Sequence, residues 1–145
     1  MNRPAPGHDL LQLHIDGASR GNPGDAGYGV FVTDANGAEV ASLYGYLGRA
    51  TNNVAEYQAL LQALRFAEQR GATRVRVFSD SELVVKQVNG QYKVKHPDMQ
   101  VLHGEARALM RRFRDVAIAH VRREQNREAD KLANTALDLK ASKLE

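Results

Sequence analysis

The chain has no cysteine and no tryptophan, only four prolines, and 6% aromatic residues in 145 positions. Without cysteine there is no disulfide, iron–sulfur cluster or thiolate zinc site, so any metal must rest on oxygen or imidazole ligands. Long apolar runs are missing too, with no window near the roughly 18 uninterrupted apolar residues of a membrane span. Residues 1–8 lack the apolar stretch of a secretory signal, and a soluble, cytoplasmic protein is expected. Neither sign of charge dominates, since the net charge is only +3. What is present is 43% hydrophobic residues, enough for one core. One domain over 10–139 is expected, between flexible tails at 1–9 and 140–145.

Leu11, Leu13 and Ile15 alternate with Gln12 and His14, the period-two pattern of a half-buried strand over 10–15. The glycine-rich run 17–27, with Pro23 inside it, reads as a loop. Strands over 28–33 and 39–46 flank Asp34-Ala35-Asn36-Gly37, whose Asn-Gly pair suits a hairpin turn. Asn52 or Asn53 can cap a helix running to about Arg70, in which Val54, Tyr57, Leu60, Leu61, Leu64 and Ala67 recur at helical spacing. A fourth strand spans 74–78. Ser79 and Asp80 can cap a short helix that Asn89-Gly90 closes. After the irregular segment 91–96, Pro97 opens a third helix carrying Met99, Leu102, Ala106, Leu109, Met110 and Phe113. Strand 116–121, a loop over 122–126 and a helix from 127 to about 139 complete the chain. The order β-β-β-α-β-α-α-β-α predicts an α/β fold, a mixed five-stranded sheet with helices on both faces.

Asp16 ends the first strand and Asp80 the fourth, while Glu56 and Asp130 stand in the first turns of two helices. Taken singly, each has a local explanation as a turn former, a cap or an acid favoured by the helix dipole. If strands one and four are neighbours, however, all four acids can meet at one sheet edge. Converging carboxylates repel and call for cations or protons. Oxygen-only sites suit Mg²⁺ or Mn²⁺, and paired ions of this kind serve phosphoryl transfer, so phosphodiester hydrolysis is the chemistry expected. The arginine excess from Arg107 through Arg111, Arg112, Arg114, Arg122, Arg123 and Arg127 could meet a phosphate backbone, or could simply be a solvated face.

Asp16-Gly-Ala-Ser-Arg-Gly-Asn-Pro-Gly24 with Gly27-Tyr-Gly29, Thr51-Asn-Asn-Val-Ala-Glu56-Tyr57, Ser79-Asp80-Ser81 and Asn126-Arg-Glu-Ala-Asp130 stand in this order along the chain. Together they resemble the type-one ribonuclease H family, also found as the ribonuclease H domain of reverse transcriptases, over most of 10–139. The resemblance implies the ribonuclease H-like fold and cleavage of the RNA strand of RNA/DNA hybrids, leaving 3′-hydroxyl and 5′-phosphate ends. It implies two Mg²⁺ ions, or Mn²⁺, held by Asp16, Glu56, Asp80 and Asp130, with Asp16 between them. Asn22 and Thr51 match positions that hold a DNA phosphate, and Asn52 and Asn53 match residues in the minor groove. The main chain around Ser19 and the side chain of Glu56 match contacts to ribose 2′-hydroxyls, the groups that distinguish RNA from DNA.

The chain departs from the family's pattern at three places. Only 89–97 occupies the site of a basic, tryptophan-bearing helix and loop in the larger bacterial members, so weaker hybrid binding is expected. Glu82 stands where a glutamine contacts substrate. The loop 122–126 contains no histidine where many members place a catalytic one, which leaves Arg122 and Arg123 as possible electrostatic helpers. The five histidines lack a second ligand at metal-site spacing, and His120, inside the fifth strand, is expected to be structural. A double-stranded RNA substrate and a catalytically idle nucleic-acid binding module are the alternative readings, and a monomer is the simplest expectation.

Overall fold

Side-chain alternation along the first strand divides the molecule into two faces. The computed structural model describes residues 9–145. β1 (Leu10–Gly21), β2 (Gly24–Asp34), β3 (Glu39–Ala50), β4 (Arg74–Ser79) and β5 (Asp115–His120) form one sheet in the order β3-β2-β1-β4-β5. The β3–β2–β1 half is antiparallel, and β4 and β5 run parallel to β1. Leu11, Leu13 and Ile15 share a buried face with Val30, Val32, Val75 and Val77. α1 (Asn52–Gln69) lays Tyr57, Leu60, Leu61 and Leu64 on that face, and α3 (Pro97–Met110) packs outside α1 through Met99, Ala106 and Leu109. Burying such aliphatic and aromatic side chains stabilises the fold by about 1.5–3 kcal/mol each.

The opposite face belongs to α4 (Arg127–Leu139). It lies so close to β2 that a Cβ on Gly29 would overlap the Ala129 carbonyl and the Ala133 nitrogen. The expected mixed sheet with helices on both faces is therefore present.

The glycine-rich run is not a loop. β1 continues through it to Gly21 and β2 starts at Gly24, with Gly17 opposite Tyr28 and Gly21 opposite Gly24 around a turn at Asn22-Pro23. Glycine serves close approach here: a Cβ on Gly17 would overlap the peptide joining Ala55 to Glu56. Thr51, not either asparagine, caps α1, its Oγ1 accepting the Val54 amide at 3.2 Å. Ser81, not Ser79 or Asp80, caps α2 (Glu82–Val88), while Ser79 Oγ accepts the Ser81 amide at 3.0 Å. A 3-10 turn, Arg123–Gln125, lies within the expected loop 122–126.

Both outer strands carry a partner on their free side. On β3, Tyr44 exchanges backbone hydrogen bonds of 2.9 and 2.8 Å with Lys143, and Ser142 Oγ accepts the Tyr46 amide at 3.0 Å. Part of the expected C-terminal tail is thus paired to the sheet. On β5, Asn89 Nδ2 donates to the Ile118 carbonyl at 3.2 Å. Of the expected N-terminal tail, 1–8 lie outside the described residues, and Asp9 pairs with Arg74 at 3.1 Å. Among the described residues no helix is long and apolar enough to cross a membrane.

Candidate active site

Parallel pairing sets the first two acids side by side. Ile15 opposite Ser79 is the last pair between β1 and β4, so Asp16 and Asp80 follow it side by side, although Asp16 does not end its strand as expected, since β1 runs on to Gly21. Contact of Gly17 with the Ala55–Glu56 peptide brings Glu56, which lies just past the first turn of α1 and not within it as expected, next to Asp16. The start of α4 is tied to the same strand, since Asn126 Nδ2 donates to the Ile15 carbonyl at 2.8 Å. As a result Asp16, Glu56 and Asp80 each present a carboxylate oxygen within 4.8 Å of the others, and Asp130 adds its charge beside Asp16.

Asp16 is only 5% exposed and Glu56 7%, so water screens their repulsion poorly. Burial, then the charges of Glu56, Asp80 and Asp130, push the Asp16 carboxyl up to about 10. Burial and Asp80 push Glu56 up to about 8, opposed by the Gly17 amide and by a hydrogen bond from Asp16. With no cation bound, the cluster therefore holds protons at neutral pH that ordinary carboxylates have released. Glu56 Oε2 is buried with no hydrogen-bond partner. An orphaned carboxylate oxygen within a cluster of hard oxygen donors fits a divalent cation such as Mg²⁺ or Mn²⁺.

These acids line an open cleft of about 480 Å³, together with Gly17, Ala18, Ser19, Asn52, Asn53, Ser81 and Arg123. Ser19, Asn52 and Asn22 are linked beside it: the Ser19 amide donates to Asn52 Oδ1 at 2.8 Å, and the Asn52 amide to Asn22 Oδ1 at 3.1 Å. The Ser19 amide is thus already engaged. Neither Asn22 nor Thr51 is part of the cleft lining.

Arg122 and Arg123 part company. Arg123 Nη2 lies 3.9 Å from Asp130 Oδ1 and lines the cleft, whereas Arg122 lies 4.0 Å from Glu124 and outside the lining. Glu82 also falls outside it, exposed on α2 and paired with Lys86 at 2.9 Å. His120, expected to be structural, is exposed at the end of β5, so no core packing supports that role. His14 does have a structural place, stacked 5.1 Å from the Phe78 ring.

The basic helix is partly committed within the protein. Arg107 donates to the Val88 carbonyl at 2.8 Å, His103 to Gln87 O at 3.2 Å and Gln100 to Val94 O at 3.0 Å, and Arg112 pairs with Glu68 at 2.9 Å. The first three bonds staple the α2–α3 connection, and the fourth ties the end of α3 to α1. Asn126 is the site residue that reading the chain as a linear string missed. It opens the Asn126-Arg-Glu-Ala-Asp130 motif, just before the last helix, but the motif alone gives it no role.

Residues 14–136 match the family described as "Reverse transcriptase-like". A bifunctional protein of Mycobacterium tuberculosis is 48% identical over 130 residues, which are 89% of this chain and 36% of the relative. The solved N-terminal RNase H domain of that relative, a fusion with maltose binding protein, superposes with a TM-score of 0.87 at 46% identity, covering 90% of this chain and 94% of that one. Ribonuclease HI of Halobacterium salinarum is 45% identical over 88% of this chain and 64% of its own length. LC11-RNase H1, solved in complex with an RNA/DNA hybrid, gives a TM-score of 0.86 at 39% identity, covering 90% of this chain and 98% of that one. The chain thus spans 36% of the mycobacterial relative's length and 64% of the halobacterial one's.

Proposed function

Because this chain belongs to the reverse transcriptase-like family of ribonuclease H domains, we propose that it is an endoribonuclease that cuts the RNA strand of RNA/DNA hybrids. The observation that carries the reading is the meeting of Asp16, Glu56, Asp80 and Asp130, from four separate elements, in one cleft. A catalytically idle module would bear the cost of burying mutually repelling acids for no return. The solved hybrid complex of LC11-RNase H1 supports the choice of duplex.

Asp16, Glu56, Asp80 and Asp130 are the residues that would hold the divalent cations. Such cations, when bound, neutralise charge on the phosphoryl oxygens and favour attack by water, which leaves 3′-hydroxyl and 5′-phosphate ends. The chain's own part is to hold the four carboxylates together, to present Asn52, Asn53 and Ser19 along the duplex, and to supply one nearby cationic group, Arg123. An arginine cannot relay a proton, since its pKa exceeds about 12, so its contribution is electrostatic. Proton transfer therefore falls to solvent.

The test is incubation with strand-labelled RNA/DNA hybrid, double-stranded RNA and double-stranded DNA, with Mg²⁺, Mn²⁺ or EDTA. Cleavage of only the RNA strand of the hybrid, abolished by EDTA, is the expected result. An intact hybrid with either cation would refute the proposal, and faster cutting of double-stranded RNA would reassign the substrate.

A further inference from the structure

Two hydrogen bonds set Asn126 apart. Its Nδ2 donates to the Ile15 carbonyl at 2.8 Å, and its own carbonyl accepts the amide of Asp130 at 3.1 Å. One residue, 1% exposed, therefore connects the peptide leading into Asp16 with the backbone of Asp130. It does so across a sequence separation of 111 residues.

Helix capping does not account for this arrangement. Asn126 occupies the cap position of α4 but makes no side-chain bond to the helix's free amides, the usual task of an asparagine there. Its amide is turned to the sheet instead. Its Oδ1 is buried without a partner, so the side chain carries an unsatisfied acceptor in order to place its donor. Nor do the surrounding contacts perform the same task. α4 meets the sheet through Ala129 and Ala133 over Gly29 and Ala136 over Gly27, small surfaces that allow close approach but interlock poorly, and the ion pairs Arg20–Asp138 and Lys140–Asp25 are exposed and lie at the end of α4 remote from Asp130. The Asn126–Ile15 bond is directional and buried, and can resist sliding of α4 along its own axis.

We propose that Asn126 is a positioning residue that sets Asp130 against Asp16 and thereby tunes the cleft's affinity for divalent cations. This rests on reading the four carboxylates as cation ligands. Residues that orient metal ligands from behind typically change affinity by about 10–100-fold when altered.

The experiment titrates Mn²⁺ into cation-free protein by calorimetry, without substrate, for the parent, Asn126→Ala and Asn126→Ser. Serine keeps a good helix cap but is too short to reach Ile15, so it separates the brace from capping. Both variants should bind Mn²⁺ at least about 10-fold more weakly. Cleavage by Asn126→Ser should recover when the cation concentration is raised by a similar factor, a rescue that general loosening of the fold would not give. If Asn126→Ala does not fold, Asn126→Ser decides. Affinity within twofold of the parent in a folded variant would overturn the proposal. A parent that binds Mn²⁺ yet leaves the hybrid intact would refute hydrolysis while the role of Asn126 stood.

Discussion

Gly17 touches the peptide between Ala55 and Glu56 so closely that no side chain fits between them. The backbone contact of β1 with α1 is thus also what brings Asp16 and Glu56 together. Gly17→Ala should push these elements apart, at about 1–3 kcal/mol for overpacking a core contact. Gly104, in α3 with nothing within 4 Å of an added Cβ, is the contrasting site. Gly104→Ala should stabilise by about 0.5–1 kcal/mol. Urea unfolding of both variants checks the pair, and similar midpoints for the two would contradict it.

Without cations the protein should lose stability as pH rises. The Asp16 and Glu56 carboxyls are raised from ordinary values of 3.8 and 4.5, so over neutral pH the folded state holds protons that the unfolded chain has released. Their contribution is most favourable below about pH 4 and declines as pH climbs towards the raised folded values. In EDTA the melting temperature should fall between pH 6 and 9, and Asp16→Asn should flatten the fall while abolishing cleavage. Cation binding should release protons, seen as a buffer-dependent heat in calorimetry. A flat melting profile for the parent would contradict the electrostatic account of the cluster.

Arg123 and Arg122 should behave differently although they are neighbours. Only Arg123 lines the cleft. Arg123→Ala should slow turnover by about 10-fold, the scale of one modest transition-state contact, and Arg122→Ala should change it little. Equal losses in single-turnover kinetics would mean that the turn moves when substrate arrives.

Arg107 should matter to folding more than to binding. Its guanidinium completes the end of α2 through the Val88 carbonyl, and Arg107→Ala leaves that acceptor bare at about 1–3 kcal/mol. The salt dependence of hybrid binding should stay as in the parent. A slope reduced by about 0.9 would instead identify Arg107 as a phosphate contact.

The element order and the four acids were legible because apolar periodicity, and acids at the borders of apolar runs, are local signals. The length of the first hairpin was not. Ala18, Ser19 and Arg20 pair with Gly27, Ala26 and Asp25, and residues so small or polar show no alternation of hydrophobicity. Their smallness answers to helices packed on the sheet, which a linear reading does not contain. The cap moved from Asn52 or Asn53 to Thr51 for a related reason: Asn52 is drawn towards Ser19 by a bond that exists only once β1 and α1 have met. Arg107 looked like part of a charged face because the carbonyl it serves lies 19 positions away.

The pairing of Lys143 and Ser142 with Tyr44 and Tyr46 bears on how the protein behaves in crowded solution. An outer strand with free amides and carbonyls is a template on which another chain can add, and from which ordered aggregates grow. Here that template is interrupted on β3 at Tyr44 and Tyr46 by residues 142–143, and on β5 Asn89 blocks one of its carbonyls. Shortening the chain before Ser142 would leave every residue of the cleft in place and still expose an adhesive edge on the far side of the sheet.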